Sequence, residues 1–111
     1  MDLGAVRQLA LALPEAAEEP HFDMASFRVR GKIFATVPAG GGVVHIFVQE
    51  SDVRASVASE PDVYEELWWG KRLSGCRVEL RHAAVPMLRE LLTESWRRRA
   101  PKRLLAALGD S

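Results

Sequence analysis

The chain has few of the features that mark secreted or membrane proteins. Cys76 is its only cysteine, so an internal disulfide is excluded, and its place on a predicted strand indicates a small core side chain. No apolar run approaches the about 20 residues that a membrane-spanning helix needs, and Asp2 stands where a signal peptide carries positive charge. These absences predict a cytoplasmic protein with no membrane partner.

Sequence motifs for catalysis and metal binding are also missing. The chain has no Gly-rich phosphate loop, no G-x-S-x-G turn, and neither H-E-x-x-H nor paired C-x-x-C spacing. His21 with Asp23 is the nearest approach to a metal or proton-transfer site, but two potential ligands do not make one. His45, inside an apolar strand, is expected to be a hydrogen-bonded, partly buried histidine. We predict no catalytic residues, no metal, no cofactor and no enzymatic activity.

The charges cancel overall but occur in blocks. Fifteen lysines and arginines balance fifteen aspartates and glutamates, which argues against a large nonspecific affinity for polyanions. Residues 1–26 carry −4, residues 27–48 carry +3, residues 49–66 carry −5 and residues 67–111 carry +6. The blocks become functional only where folding gathers the two positive ones on one surface.

The chain is long enough for one domain, residues 1–111, with one core. Asp2 is expected to cap a first helix that Pro14 ends, and the stretch LPEAAEEPHF has no period and indicates a loop. Ser51 is expected to cap a helix to about Ser59, followed by a turn or short helix through Leu67. The last long helix begins near Pro86 and is broken at Pro101.

Strands are predicted from twofold alternation of apolar and polar side chains. Residues 25–37 alternate around Gly31 and predict a hairpin, although the register leaves open whether Lys32 lies beside Arg28 and Arg30. VVHIFV and CRVELRH predict two further strands. Helices at both ends with strands adjacent in sequence indicate an α+β fold with an antiparallel β-sheet and flanking N- and C-terminal helices.

Two cationic segments contain tryptophan. In SWRRRAPKR, helical spacing places Trp96 on the apolar face, and Glu94 is expected to neutralise Arg97 and Arg98 locally. This leaves three cations without a nearby acid in the sequence, namely Arg99, Lys102 and Arg103. In LWWGKRL, adjacent tryptophans on a strand would face opposite sides, so at most one is expected to be exposed and available for stacking on a base.

Five segments occur together along the chain: LPEAAEEPHF, FRVRGKIFATV, WWGKRL, CRVEL and SWRRRAPKRL. With this combination the chain resembles the MmcQ/YjbR family of small bacterial proteins from about Leu3 to Leu105. The resemblance implies a frataxin-like α+β fold in a double-wing arrangement, and family members are commonly labelled DNA-binding on structural likeness. Frataxin-like proteins that handle iron have an acidic ridge on the first helix, where this chain has only Asp2, which argues against an iron role.

The resemblance also implies which cations would contact a DNA backbone. The positions that match the wings are Arg28, Arg30, Lys32, Lys71, Arg72, Arg77 and Arg81. With Arg99, Lys102 and Arg103 they form the predicted DNA-binding set; the competing interpretation is that the strand arginines merely keep a sheet face solvated.

The leading hypothesis is a non-enzymatic module that binds DNA weakly and salt-sensitively through phosphates. The alternative is a protein-interaction or chaperone-like module with an unknown partner on the sheet face or in a groove beside the last helix. An enzyme would need a cleft at His21 and Asp23.

Overall fold

The structure is a computed structural model and describes residues 1–108. Its helices are α1 (Leu3–Leu11), α2 (Glu50–Ser59), α3 (Val85–Arg99) and α4 (Lys102–Leu105), followed by a 3₁₀ turn, Ala106–Leu108. Its strands are β1 (Ala16–His21), β2 (Met24–Val29), β3 (Lys32–Val37), β4 (Val43–Ile46), β5 (Tyr64–Trp69) and β6 (Arg72–Glu79). Within this part of the chain no helix has the length and apolar character needed to cross a membrane.

The strands form one antiparallel sheet in the order β1-β2-β3-β4-β6-β5. Because neighbouring strands alternate in direction, β2 and β5 run the same way. The β2–β3 turn at Arg30–Gly31 and the β5–β6 turn at Gly70–Lys71 therefore project from the same end of the sheet. The predicted α+β fold with an antiparallel sheet and terminal helices is confirmed.

The hairpin predicted around Gly31 is confirmed, and its register settles the position of Lys32. Arg30 and Gly31 both have positive φ, 52° and 78°, as a two-residue type I′ turn requires. Arg28 pairs with Ile33, whereas Val29 pairs with Lys32. Since paired residues share a face and successive residues alternate, Lys32 and Arg28 lie on opposite faces of the sheet.

The core lies on the face of the sheet that the helices cover. Helices α1 and α3 pack against strands β1, β3 and β4, and α2 packs against β5 and β6. One row of paired residues runs across this face from β2 to β6. It contains Phe27, Ala35, Ile46 and Cys76, which are all fully buried. Trp96 of α3 is fully buried too, as its helical spacing predicts, and its Nε1 donates to the Pro14 carbonyl oxygen at 3.0 Å.

Three sequence predictions about local structure were wrong. Residues 16–21 form the edge strand β1, not a loop, because their backbone pairs along its whole length with β2. The start of α2 is Glu50, with Gln49 at the N-cap and no side-chain cap, so Ser51 lies inside the helix. Strand β5 occupies residues 64–69, where a turn or short helix was expected through Leu67.

Candidate anion-binding site

Three of the ten predicted DNA-binding cations lie beside carboxylates. In each case the partner comes from the neighbouring strand or from the turn that leads into it. The nitrogen–oxygen distances are 3.9 Å for Arg28–Glu19, 2.7 Å for Arg30–Glu15 and 3.8 Å for Arg77–Glu65. Such surface pairs add little stability. They do, however, place a negative charge beside each of these cations, so the β2–β3 hairpin does not present an acid-poor surface.

Four other predicted cations are exposed and lie at three separate places in the fold. Arg81 follows β6 at the end opposite Arg72, about 25 Å away at the usual rise of an eight-residue strand. Lys32 lies on the helix-covered side at the start of β3. Lys102 and Arg103 belong to α4, beyond the break at Pro101. Within residues 1–108 none of these four has a carboxylate in ion-pair contact.

Of the three remaining predicted cations, Lys71 is exposed in the β5–β6 turn, and Arg72 and Arg99 meet Arg98 at the end of α3. Arg72, Arg98 and Arg99, here called the arginine cluster, line one hollow of about 240 Å³. Trp69 and Phe47 form part of the same hollow. No Asp or Glu of the described chain lines it. Folding thus brings together two predicted cations, Arg72 and Arg99, with Arg98, which the sequence analysis assigned to Glu94.

Arg98 escaped prediction because its contact is distant in sequence. Arg97 does pair with Glu94, as the helical spacing predicts. Arg98 instead donates from Nη1 to the carbonyl oxygen of Phe47 at 3.0 Å. The helical i,i+4 spacing predicts only contacts within one helix, so it does not predict a backbone acceptor in another part of the chain.

The backbone around Phe47 explains why α3 ends at this hollow. Strands β3 and β4 pair at Ala35–Ile46 and Thr36–His45, and the Phe47 N–H donates to the Phe34 carbonyl oxygen at 3.4 Å. The Ser95 hydroxyl lies 2.6 Å from the Phe34 carbonyl oxygen and 2.8 Å from that of Phe47. The C-terminal part of α3 is thereby fixed to the middle of β3 and to the residue that follows β4.

Gly75 permits the close approach of β6 to the backbone of Ile46 and Phe47. A Cβ built at Gly75 would lie 2.3 Å from the Ile46 carbonyl oxygen and 3.1 Å from the Phe47 Cα. No side chain fits at such distances. The lack of a side chain at Gly75 is therefore required for β4 to pass where it does, and for Phe47 to reach the arginine cluster.

The charge of Arg98 is repelled by the two other guanidinium groups of the cluster. The pKa of Arg98 is lowered, first by burial and then by the charges of Arg99 and Arg72, while Asp52 opposes the shift. An arginine stays protonated in spite of such a shift. The Nε of Arg99 is buried and has no hydrogen-bond partner within residues 1–108. An anion at this point would reduce the repulsion and accept hydrogen bonds from a planar donor fork.

Both tryptophans of the LWWGKRL segment are exposed, so the prediction of at most one was wrong. Trp69 is 82% exposed and Trp68 is 48% exposed. The register shift between Leu67 and Trp68 and the end of the sheet at Trp69 leave both rings without a covering element. Trp68 Nε1 donates to Glu66 at 3.1 Å, whereas no hydrogen bond holds the Trp69 ring in the described chain.

A larger cavity of about 460 Å³ adjoins the arginine cluster on the uncovered face of the sheet. Met24, Ile33 and Leu67 form apolar walls, and Phe47, Trp69 and Arg99 line both this cavity and the hollow. Thr36 and His45, neighbours across β3 and β4, also line it. The pKa of His45 is lowered, first by burial and then by the charge of Arg77, so the imidazole is neutral near pH 7.

His21 and Asp23 do not form a joint site. His21 lines the large cavity and contacts the ring of Phe22 edge-on, with ring centroids 4.8 Å apart. Asp23 is exposed beside the shallower depression at the β1–β2 turn. Throughout residues 1–108 there is no group of three His, Cys, Asp or Glu side chains placed to hold a metal ion.

Comparison with known proteins places this architecture in a family. The model of the YjbR family matches residues 11–98, which include the whole sheet and nearly all of α3. The chain belongs to the YjbR family. This confirms the family that the sequence segments resemble.

A solved structure supports the fold of this YjbR-family chain. It is the crystal structure of the Deinococcus radiodurans protein DR2400, which carries the domain named DUF419. The two structures superpose with a TM-score of 0.74 at 17% sequence identity, over 96% of this chain and 86% of the other. At that identity the likeness concerns the fold alone. No curated protein matches the chain.

Proposed function

We propose that this YjbR-family chain is a non-enzymatic module that binds nucleic acid through its phosphates. The observation that carries the proposal is the arginine cluster: three guanidinium groups converge on one hollow that no carboxylate of residues 1–108 lines. Guanidinium groups match phosphate oxygens in a bidentate geometry. Because the net charge is zero, binding is weak and depends on this local field.

The geometry favours a single-stranded segment over a long duplex track. Trp69, 82% exposed beside the cluster, offers a flat face on which an unpaired base stacks. Lys71 is exposed in the adjoining β5–β6 turn and adds a further cation. By contrast, a duplex laid along both hairpins would meet the ion-paired Arg30 at one tip. The proposal is therefore narrower than the ten-cation surface predicted from the sequence.

A comparison of two charge-matched variants tests the proposal. Arg72→Gln removes one member of the arginine cluster, and Arg81→Gln removes an exposed, unpaired cation at the other end of β6. Affinity for a fluorescently labelled single-stranded oligonucleotide is measured by anisotropy at low salt. We expect Arg72→Gln to weaken binding about tenfold, the value of one charge-assisted contact, and Arg81→Gln to leave it unchanged. Undetectable binding by the unmodified protein, or equal losses in both variants, would contradict the proposal.

A protein-interaction module is the alternative function, and one observation favours it. Phe22 at the β1–β2 turn is 90% exposed, on the same sheet whose uncovered face carries the large apolar cavity. An apolar surface of this kind suits a protein partner. Capture of one specific protein from a bacterial lysate at high salt, lost in Phe22→Ala, would favour this function over nucleic-acid binding.

A cytoplasmic location of the protein also stays a prediction.

A further inference from the structure

The large cavity on the uncovered face has the size and lining of a small-molecule site. Its volume of about 460 Å³ falls within the range of about 300–1,000 Å³ that is typical of ligand pockets. Met24, Ile33 and Leu67 give it apolar walls on three strands. Pockets of this type bind an apolar body through their walls and fix its orientation through a few polar groups.

Arg99 supplies a polar group that has no partner in the protein. Its Nε is buried without a hydrogen bond within residues 1–108, and its side chain lines the cavity. Leaving a buried donor without an acceptor costs free energy, and a ligand that supplies the acceptor removes this cost. None of the described residues that line the cavity is acidic. The charge of Arg99 is therefore complementary to an anionic group on the ligand.

Trp68 and Ser74, which also line the cavity, already donate hydrogen bonds to Glu66 and to the Leu67 carbonyl oxygen. His45 and Thr36 do not compete with Arg99 for an anionic ligand either. His45 is neutral near pH 7, because burial and the charge of Arg77 lower its pKa. Thr36 beside it is uncharged and almost fully buried. Among the described residues of the cavity wall, Arg99 is the only lysine or arginine. A single negative charge matches it, whereas a phosphate dianion would lose more hydration on entering an apolar cavity.

The aromatic side chains indicate the shape of the ligand body. Phe47 and Trp69 both line the cavity next to Arg99. Flat rings pack against aromatic faces in offset or edge-to-face arrangements. We propose that the cavity binds a small aromatic carboxylate, with its ring between Phe47 and Trp69 and its carboxylate accepting hydrogen bonds from Arg99. The cavity shares Arg99 and Trp69 with the proposed nucleic-acid site. The two proposals concern different ligands and are tested by different measurements, so either can fail without the other.

Calorimetric titration of the full chain with naphthoate and with its neutral isostere naphthamide tests the site. We expect naphthoate to bind at least about tenfold more tightly than naphthamide, because only the carboxylate receives charge-assisted hydrogen bonds. Arg99→Gln should abolish this preference, and the charge-matched Arg103→Gln should retain it. Equal binding of both compounds, undetectable binding of naphthoate, or an unchanged preference in Arg99→Gln would overturn the proposal.

A second variant locates the binding without altering the arginine. Met24→Trp places a larger side chain in the cavity from a partly exposed position at the start of β2. Its thermal unfolding should resemble that of the unmodified protein, and its binding of naphthoate should be lost. Naphthoate binding that survives in folded Met24→Trp would also overturn the proposal. If Arg99→Gln fails to fold, this variant together with the naphthamide comparison decides the outcome.

Discussion

Arg98 of α3 donates a hydrogen bond of 3.0 Å to the backbone carbonyl of Phe47, a residue 51 positions away in the chain. This contact ties the last turn of α3 to the point where β4 leaves the sheet. It also places the guanidinium of Arg98 beside those of Arg72 and Arg99. The arginine cluster thus depends on the contact between the end of α3 and the end of β4.

Replacement of Ser95 tests that junction. Its hydroxyl lies within hydrogen-bond distance of the Phe34 and Phe47 carbonyl oxygens. Ser95→Ala removes this donor, while the Phe34 oxygen keeps the Phe47 N–H and the Phe47 oxygen keeps Arg98. We expect the free energy of unfolding in urea to fall by about 0.5–1.5 kcal/mol, the net contribution of one hydrogen bond. Thr93→Ala is the control, because the Thr93 hydroxyl bonds only the Arg89 carbonyl on the exposed part of the same helix. Equal stabilities of the two variants would contradict the account.

Replacement of Gly75 tests the close approach of the neighbouring strands β4 and β6. An alanine Cβ would meet the Ile46 carbonyl oxygen at 2.3 Å, and the backbone there cannot yield as a side-chain end does. We expect Gly75→Ala to lower the free energy of unfolding by about 1–3 kcal/mol or more. Gly42→Ala, where a Cβ meets no atom within 4 Å, should be neutral or slightly stabilising. Chemical denaturation of both variants checks this, and an unaffected Gly75→Ala would show that the strands are not so close.

Cys76 should behave as an inert core thiol. Burial raises its pKa to about 11, so the thiolate, which is the reactive form, is scarce at neutral pH. We expect a thiol reagent such as DTNB to react slowly with the folded protein and at once in denaturant. The time course of absorbance at pH 8 measures the reaction. A rapid reaction of the native protein would mean that Cys76 is accessible.

His45 should make the stability depend on pH. Because its pKa is lowered on folding, the unfolded chain binds a proton more readily than the folded protein. The contribution of this group is therefore present above the ordinary value of 6.5 and is lost as pH falls below it. We expect urea midpoints to decline from pH 7 to pH 5, and to decline less in His45→Gln. An identical decline in the two proteins would assign the pH dependence to other groups.

Short-range patterns predicted much of the fold. The Arg30–Gly31 turn, the apolar face of α3 with Trp96 and the break at Pro101 depend on local conformational preferences, which the sequence displays directly. Strand β1 was not predicted because it is an edge strand that contains Pro20 and two glutamates and has no regular alternation of apolar and polar residues; its pairing with β2 stabilises it instead. Edge strands with one exposed side carry a weak hydrophobic signal.

The candidate site was only partly predictable, because it depends on strand register and on how the strands and α3 pack together. Arg72 and Arg99 were in the predicted set, but their proximity follows from the β5–β6 hairpin and the end of α3 meeting at Phe47. The carboxylates beside Arg28 and Arg77 are equally matters of strand register. A sequence shows the charges in order along the chain, while the pairing that neutralises some of them appears only when the strands are aligned.

The salt dependence of oligonucleotide binding tests the phosphate-binding role of the arginine cluster most directly. For three phosphate contacts on a single strand, the plot of log K against log salt concentration should have a slope of about −2, at about 0.7 for each contact. Arg72→Gln should reduce the magnitude of the slope by about 0.7, and Arg81→Gln should leave it unchanged. A slope indistinguishable from zero, or one that Arg72→Gln does not alter, would contradict the account.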